Sequence, residues 1–303
     1  MSPIRNVVIA GVSGNLGPAL LSALASTPTF TVTVFTRADS SPTLPPNVKS
    51  IAVDYDSIEN LTSTLRTRNT DAVISALPGP AAKQQVNLIH ASVAANVSRF
   101  LPSEFGSDLD NADNRAASVY APKVAAQDLL KALAAEGKIT YTIVYNGAFL
   151  DWGLKAGFPI DPVKKRAALH DGGERLYSTT TLGAVGKAVV SILSQPEETK
   201  NRVIRVGEVV TTLKEVLALS QEVVGAEGWS ITTPDTVEGV EKAMVKIRQG
   251  VFTHETIMPF IFKAIWGPVN DGHFKETDNE LLGIKELDKA DLKKIIQGVV
   301  EGN

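Results

Sequence analysis

The first half of the chain alternates short apolar runs with longer segments in which apolar residues recur every three or four positions. The short runs are rich in β-branched and aromatic residues, which predicts strands at 6–10, 31–36, 48–53, 72–76, 98–101 and 139–145. The longer segments predict helices at 18–24, 57–68, 81–95 and 122–135. Strands that alternate with helices pair in parallel through right-handed crossovers, so we expect a Rossmann-type doubly wound α/β sheet. Its ligands should lie along the carboxyl ends of the strands.

The pattern changes beyond Trp152. Residues 165–170 and 174–178 flank Asp171-Gly172-Gly173 and predict a β-hairpin. Further helices are predicted at 181–193, 212–224, 237–248, 254–266 and 288–300, with strands at 202–206 and 230–233. We expect residues 1–150, with segments at about 178–210 that return to the sheet, to form a dinucleotide-binding domain. Residues 151–177 and 211–303 should form a smaller C-terminal α/β substrate cap.

A glycine-rich loop joins the first strand to the first helix, and its residues are Gly11, Val12, Ser13, Gly14, Asn15, Leu16 and Gly17. Gly11 permits a tight turn, Gly14 lets a phosphate approach the main chain, and Gly17 lets the helix pack closely on the sheet. The free N–H groups of the first helical turn should face the anion. The spacing G-x-x-G-x-x-G departs from G-x-G-x-x-G, and an ordinary tight turn is the alternative. The strand before the loop and the helix after it favour a nucleotide pyrophosphate site.

Three side chains after the next strands bear on the identity of the nucleotide. Arg37 ends the second strand, where an arginine accommodates the 2′-phosphate of NADP(H), although it could also be a solvated charge. Asp39 keeps NAD open as a possibility. Asp54 ends the third strand and could accept a hydrogen bond from the adenine amino group or begin the turn into the next helix. The sequence therefore favours NADP(H).

Composition and charge narrow the classes of partner. A formal net charge of −3 gives no reason to expect a nucleic acid or an anionic membrane as partner. The chain has no cysteine, which excludes thiol catalysis and fits a reducing compartment. We expect no metal site, since none of the histidines shows metal-ligand spacing: His90, His170, His254 and His273. No apolar run is long enough for a membrane span and the N-terminus is a poor secretory signal, so we expect a cytoplasmic protein.

Residues 99–106, Arg-Phe-Leu-Pro-Ser-Glu-Phe-Gly, carry a more specific signal. This run resembles the hallmark of the isoflavone reductase-like, or phenylpropanoid reductase, branch of the NmrA-like atypical short-chain dehydrogenases. The resemblance extends over about the first half of the chain and includes the glycine-rich loop, Arg37 and Asp54. It implies a Rossmann fold, NADP(H) as cofactor, and further cofactor contacts from Ser75, Ala76, Leu77, Ser103, Phe105, Asn146 and Phe149.

Lys123 stands in the first turn of the predicted helix 122–135. Alone, it would be read as a solvated surface charge, because lysines are mostly exposed. Members of the resembled family carry a catalytic lysine at the start of this helix, so the resemblance implies that Lys123 is a general acid/base and also contacts the cofactor. Two features depart from the family. Tyr120 lies three residues before Lys123 rather than four, and Gln127 stands where an arginine is common. We therefore do not assign Tyr120 to a catalytic dyad.

Aromatic residues indicate where a substrate would bind. Phe149 and Trp152 follow the sixth strand, and Met258 and Phe262 lie on the apolar helix at 254–266, so we expect these four to line the substrate pocket. The alternative is that they are simply core residues. Glu104 lies at the cofactor edge, and we favour a bracing role for its carboxylate over a catalytic one.

These signals predict an NADPH-dependent reductase of secondary metabolism. Its substrate should be a small, largely apolar aromatic or polyketide-like molecule that accepts hydride, and the protein should be a monomer or homodimer. Two alternatives stay open at this point: an NADP-sensing regulator without turnover, and a non-redox isomerase or cyclase that uses the same pocket.

Overall fold

The computed structural model describes residues 3–268 and 272–302, and these form two compact units. The first unit comprises the described residues up to Phe105, Pro122–Val144 and Gly183–Ile204. The second comprises Gly106–Ala121, Tyr145–Leu182 and the described residues from Arg205 onward. Residues 106–121 and 145–150, which the sequence analysis grouped with the dinucleotide-binding domain, thus belong to the second compact unit.

The elements are numbered in chain order. The strands are β1 (Asn6–Ala10), β2 (Thr31–Thr36), β3 (Lys49–Ala52), β4 (Ala72–Ser75), β5 (Arg99–Leu101), β6 (Thr140–Tyr145), β7 (Ala148–Phe149), β8 (Ile160–Asp161), β9 (Arg166–Ala168), β10 (Tyr177–Thr180), β11 (Arg202–Arg205), β12 (Val209–Thr211) and β13 (Ser230–Thr232). The helices are α1 (Gly17–Ala25), α2 (Ile58–Thr67), α3 (Ala82–Ala94), α4 (Ala112–Ala116), α5 (Ala121–Ala135), α6 (Leu150–Ala156), α7 (Leu182–Ser194), α8 (Leu213–Val224), α9 (Thr236–Arg248), α10 (His254–Trp266), α11 (Asn279–Leu282) and α12 (Lys289–Glu301).

A seven-stranded sheet of order β11-β6-β5-β4-β1-β2-β3 organises the first unit. Pairing is parallel from β3 through β6, with Ala10 of β1 opposite Phe35 of β2 and Ser75 of β4. Strand β1 is apolar and buried from Val7 onward, as expected for a parallel strand covered on both faces. The predicted Rossmann-type α/β fold is confirmed. The strand order reverses between β1 and β4, and ligands of such folds bind at that point, at the carboxyl ends of the strands.

Two small sheets belong to the second unit, with orders β12-β10-β7 and β13-β9-β8. The predicted hairpin of 165–170 with 174–178 is wrong. Strand β9 pairs with β8 and β13, whereas β10 pairs with β7 and β12. The glycine turn does exist, since Gly172 and Gly173 have φ of 84° and 74°. However, Asp171 donates its backbone N–H to Pro234 O at 3.0 Å, which keeps the chain beside the β13 segment.

The long predicted helices are confirmed to within a few residues at each end. Capping explains several of the starts, because Ser57, Thr212, Asp235 and Asp288 each accept a hydrogen bond from the backbone N–H three residues further on. The short elements β7, β8, β12, α4, α6 and α11 were not predicted. In the part of the chain that the structure describes, no helix is long and apolar enough to cross a membrane.

Candidate functional site

The three glycines of the loop after β1 differ in the atoms that surround them. Gly11 has φ of 93°, and a Cβ there would lie 2.4 Å from the carbonyl oxygen of Ala76. A Cβ at Gly17 would lie 2.5 Å from the backbone of Val12, so Gly17 relieves contact within the loop itself rather than with the sheet. The nearest protein atom to a Cβ at Gly14 would be Gly11 O, at 3.5 Å. The fold therefore requires glycine at Gly11 and Gly17, whereas a Cβ at Gly14 would make only ordinary van der Waals contacts.

The same loop presents unpaired backbone donors. Among the described residues, no hydrogen-bond acceptor faces the N–H groups of Ser13, Asn15, Leu16 and Gly17. Helix α1 has no side-chain cap and no acidic residue in its first turn. Its N-terminal partial positive charge is therefore not neutralised by the protein, which suits the loop to an anion such as a pyrophosphate.

Arg37 and Asp54 are held only lightly. Arg37 Nε lies 3.5 Å from Asp39 Oδ1, and both side chains are 75% exposed. Exposed ion pairs contribute about 0–1 kcal/mol, so the guanidinium can readily exchange this carboxylate for a phosphate. One carboxylate oxygen of Asp54 accepts the backbone N–H of Asp56 at 2.9 Å. The turn expected as an alternative for Asp54 therefore forms, and its second oxygen has no partner within the described chain.

The exits of β4 and β5 lie side by side. The hydroxyl of Ser103 donates to the carbonyl oxygen of Leu77 at 2.8 Å, and Ser103 N–H donates to Gln85 Oε1 at 2.8 Å. The N–H of Ala76 donates to Ala10 O at 2.8 Å, which joins the exits of β4 and β1. Ser75 is fully buried, and its Oγ has no hydrogen-bond partner in the described residues. Ser75, Ala76, Leu77 and Ser103 thus form one edge, adjoined in sequence by the buried Phe105.

Lys123 is ordered by a backbone group of the same unit. Its Nζ donates to the carbonyl oxygen of Glu104 at 2.7 Å, and the side chain is half-buried. Gln127, one turn further along α5, donates from Nε2 to Glu104 Oε2 at 3.0 Å, and both side chains are buried. This contact is the kind of bracing that the sequence analysis favoured for Glu104.

Tyr120 lies outside helix α5, in a 3₁₀ turn over Ser118–Tyr120. Its hydroxyl lies 3.0 Å from Ser107 Oγ, and both residues belong to the second unit. An i,i+4 pair on one helix face is therefore not formed by Tyr120 and Lys123, as expected from Pro122.

Asn146 and Phe149 belong to the second unit, together with the turn between them. Gly147 has φ of 64°, and a Cβ there would lie 2.2 Å from Ser178 O, so the turn packs directly on β10. Asn146 is fully buried and donates from Nδ2 to Gly147 O at 3.1 Å. Its Oδ1 has no hydrogen-bond partner among the residues described. The turn therefore leaves one buried acceptor unused.

The predicted pocket residues are largely brought together. Phe149 and Trp152 make an edge contact with ring centroids 6.4 Å apart, and Trp152 lies 6.3 Å from Phe158. Phe158 in turn stacks on Phe262 at 5.3 Å. Met258 lies one turn before Phe262 on α10 and is half-buried. Phe158, which links the two halves of this aromatic row, was not predicted from the sequence.

His170 is a second residue that sequence reasoning did not single out. Its imidazole is 5% exposed and stacks on both Phe262, at 4.2 Å, and Trp266, at 5.2 Å. Burial lowers the pKa of His170 to about 4, although the Asp171 carboxylate acts in the opposite direction. The ring is therefore neutral at pH 7. No spacing in the sequence marks this histidine, because its neighbours come from distant segments.

Known proteins resemble this chain in sequence and in fold. Residues 4–237 match the family model described as the NmrA-like family. The protein named oxidoreductase poxI, from Penicillium oxalicum, is 30% identical over 303 residues, or 95% of this chain and 93% of that protein. The complex of leucoanthocyanidin reductase with NADPH from Vitis vinifera superimposes with a TM-score of 0.75 at 16% identity, over 96% of this chain and 99% of that one. An isoflavone reductase structure gives a TM-score of 0.71 at 20% identity, over 99% and 100%.

Proposed function

Because the chain belongs to the NmrA-like family, we propose that it is an NADPH-dependent reductase of a small, largely apolar aromatic or polyketide-like molecule. One observation carries the proposal. The first unit combines, on one parallel sheet, a loop after β1 with unpaired backbone N–H groups and an ordered lysine at the start of α5. The proposal also assigns cofactor binding to one domain and substrate binding to the smaller cap. It further includes a monomeric or homodimeric state and a cytoplasmic location.

The residues of the first unit fit NADP(H). The space at Gly14, which a Cβ would fill, and the unpaired N–H groups of the loop suit the pyrophosphate. Arg37 would hold the 2′-phosphate and the second carboxylate oxygen of Asp54 the adenine amino group. Ser75 to Leu77, Ser103 and Phe105 would line the path of the rest of the cofactor, with the orphaned Ser75 hydroxyl as a hydrogen-bonding group. We place Asn146 and Phe149 in the same cofactor-binding set.

The bound cofactor would supply the hydride, and the chain would manage the proton. Lys123 is the candidate, because its ammonium group carries the donor protons and the Glu104 carbonyl fixes the direction of the side chain. Glu104 itself accepts hydrogen bonds from both Lys123 and Gln127, which supports a positioning role. Lys123 would donate a proton to the substrate oxygen as negative charge develops there.

The aromatic row of the second unit supports an apolar, ring-bearing substrate. Phe149, Trp152, Phe158 and Phe262 supply ring faces and edges in contact with one another. Such side chains bind planar apolar molecules with little loss of conformational freedom. The protein from Penicillium oxalicum is named an oxidoreductase, which agrees with this class of reaction.

Isotope transfer tests the proposal. The protein would be incubated with NADPH that carries deuterium at both C4 positions and with a panel of aromatic ketones, enones and benzylic ethers, and products would be analysed by mass spectrometry. A reductase yields a product heavier by one deuterium, and the NADP⁺ that forms keeps the second deuterium at C4. Tight NADPH binding with no labelled product across the panel would favour a dinucleotide-sensing regulator. Conversion that proceeds without any dinucleotide would favour an isomerase or cyclase.

A further inference from the structure

The second unit contains a cavity of about 400 Å³. This volume lies within the range of about 300–1,000 Å³ that is usual for small-molecule sites. Its walls come from the segment after α6, the 3₁₀ turn after β9, the start of α9 and one face of α10, and they include Phe158, Pro159, His170, Thr236, Pro259 and Phe262. Most of this lining is apolar, so the cavity suits a molecule with an apolar body.

His170 is the unexplained polar group in that lining. It is 5% exposed, and neither ring nitrogen has a hydrogen-bond partner among the described residues. The adjacent Asp171 carboxylate does not serve it, because that group accepts the N–H of Thr236 at 2.9 Å and its hydroxyl at 2.7 Å. A buried polar group left without a partner costs about 1–3 kcal/mol. A phenylalanine at this position would stack equally well and avoid that cost. A ligand that hydrogen-bonds to the imidazole would explain why a histidine is present.

The charges around the cavity indicate which kind of ligand would bind there. Among the described residues that line the cavity, Asp235 carries a charge and none is a lysine or arginine. The Asp235 carboxylate caps α9 by accepting the N–H of Glu238 at 2.9 Å. An anionic ligand would therefore meet no countercharge. A neutral imidazole offers one N–H donor and one acceptor nitrogen, which suits an uncharged hydroxyl or carbonyl group.

We propose that this cavity is a ligand site and that His170 determines its specificity, selecting an uncharged planar ring that carries a hydroxyl or carbonyl group. Phe158 and Phe262 stack with each other at 5.3 Å and provide the apolar surface for the ring. Both imidazole nitrogens are buried and without a partner among the described residues, so the proposal requires the imidazole to turn toward the cavity when a ligand binds. The identification of this ligand with the substrate rests on the proposed function, whereas its binding does not.

Binding of three naphthalenes tests the inference, with Kd measured by calorimetry and by quenching of tryptophan fluorescence at pH 7.5. The probes are 2-naphthol, naphthalene and 2-naphthoate, which share one ring system and differ in the substituent. We expect the wild-type protein to bind 2-naphthol about tenfold more tightly than either of the others, since one buried hydrogen bond is worth roughly that factor. The His170→Phe variant should bind 2-naphthol and naphthalene equally. His170→Gln, which keeps a donor and an acceptor, should retain part of the preference.

The control is His254→Phe, because His254 is exposed at the start of α10 and should leave all three affinities unchanged. Equal affinities of the wild-type protein for 2-naphthol and naphthalene, or an unaltered preference in a folded His170→Phe variant, would overturn the inference. Titration of the same proteins with NADPH separates the two proposals. A His170-dependent preference without NADPH binding would retain the ligand site and refute the reductase, and the reverse pattern would refute the ligand site alone.

Discussion

Gln127 donates a hydrogen bond from its side-chain amide to the buried carboxylate of Glu104, at 3.0 Å. The backbone carbonyl of Glu104 accepts Lys123 Nζ at 2.7 Å, so one residue holds two side chains that lie one turn apart on α5. The resembled family commonly has an arginine at the position of Gln127. The uncharged Gln127 therefore raises the question of what orients Lys123. The lysine is held by a backbone oxygen, which a different side chain at position 127 does not remove.

Replacement of Arg37 tests the choice of cofactor. The wild-type protein should bind NADPH at least about tenfold more tightly than NADH, because the exposed guanidinium can pair with the 2′-phosphate. Arg37→Ala should remove most of that difference while the affinity for NADH stays nearly constant. Fluorescence titration of both nucleotides measures it. Arg68→Ala is the matched control, since Arg68 is equally exposed but ends α2, and equal affinities of the wild-type protein for NADPH and NADH would refute the role.

Replacement of Lys123 tests the proton transfer. In Lys123→Met, the turnover of whichever panel compound the wild-type protein reduces should fall about 10²–10⁴-fold, the usual contribution of general acid–base catalysis. The dissociation constant for NADPH should change by no more than about threefold, because the loop and Arg37 supply most of the binding. Steady-state kinetics and cofactor titration provide the two readouts. Lys131→Met, on the same helix, should behave as wild type. Full turnover in Lys123→Met would remove the lysine from the mechanism.

His170 should make the stability of the fold depend on pH in a defined direction. Its pKa is about 4 in the folded protein and 6.5 as an ordinary histidine, so the unfolded chain binds more protons between these values. The stabilisation from the neutral ring is complete above about pH 6.5 and is lost as the pH falls toward 4. Between pH 7 and pH 4.5, the wild-type protein should lose about 2–3 kcal/mol more free energy of unfolding than His170→Phe.

Urea unfolding of both proteins at a series of pH values measures this difference. Asp171 and Asp235 are present in both variants, so the comparison isolates the contribution of His170. Parallel curves of stability against pH would mean that the pKa of His170 is the same in the folded protein as in the unfolded chain.

The features that repeat along the sequence were the ones that could be predicted from it. The strand at 31–36 and the helix at 254–266 have the predicted bounds, because β-branched alternation and the caps around the helix are local signals. The predicted NmrA-like family is confirmed, and so is the Rossmann-type sheet. The strands β8 and β12 are too short to show a period. The predicted hairpin is wrong because a glycine turn indicates only that the chain changes direction. It does not indicate which strands pair with each other.

The candidate site likewise contains residues that could be predicted from the sequence and residues that could not. The glycine loop and Lys123 were found from local motifs and from a family resemblance, and the structure gives each a defined environment. Phe158 and His170 were missed because their importance comes from packing against α10, about a hundred residues further along the chain. Single residues of this kind carry no periodic signal, so only the folded chain identifies them.

Calorimetric titration of NADPH into the wild-type protein and into Gly14→Val tests the central claim, that the loop after β1 binds the pyrophosphate of the cofactor. The fold has room for a Cβ at Gly14, which would meet Gly11 O at 3.5 Å. Gly298→Val, at a position with no protein atom within 4 Å, serves as the control for folding. We expect saturable binding to the wild-type protein and to Gly298→Val, and affinity weakened at least about a hundredfold in a folded Gly14→Val. No heat of binding to the folded wild-type protein, or an unchanged affinity in Gly14→Val, would contradict it.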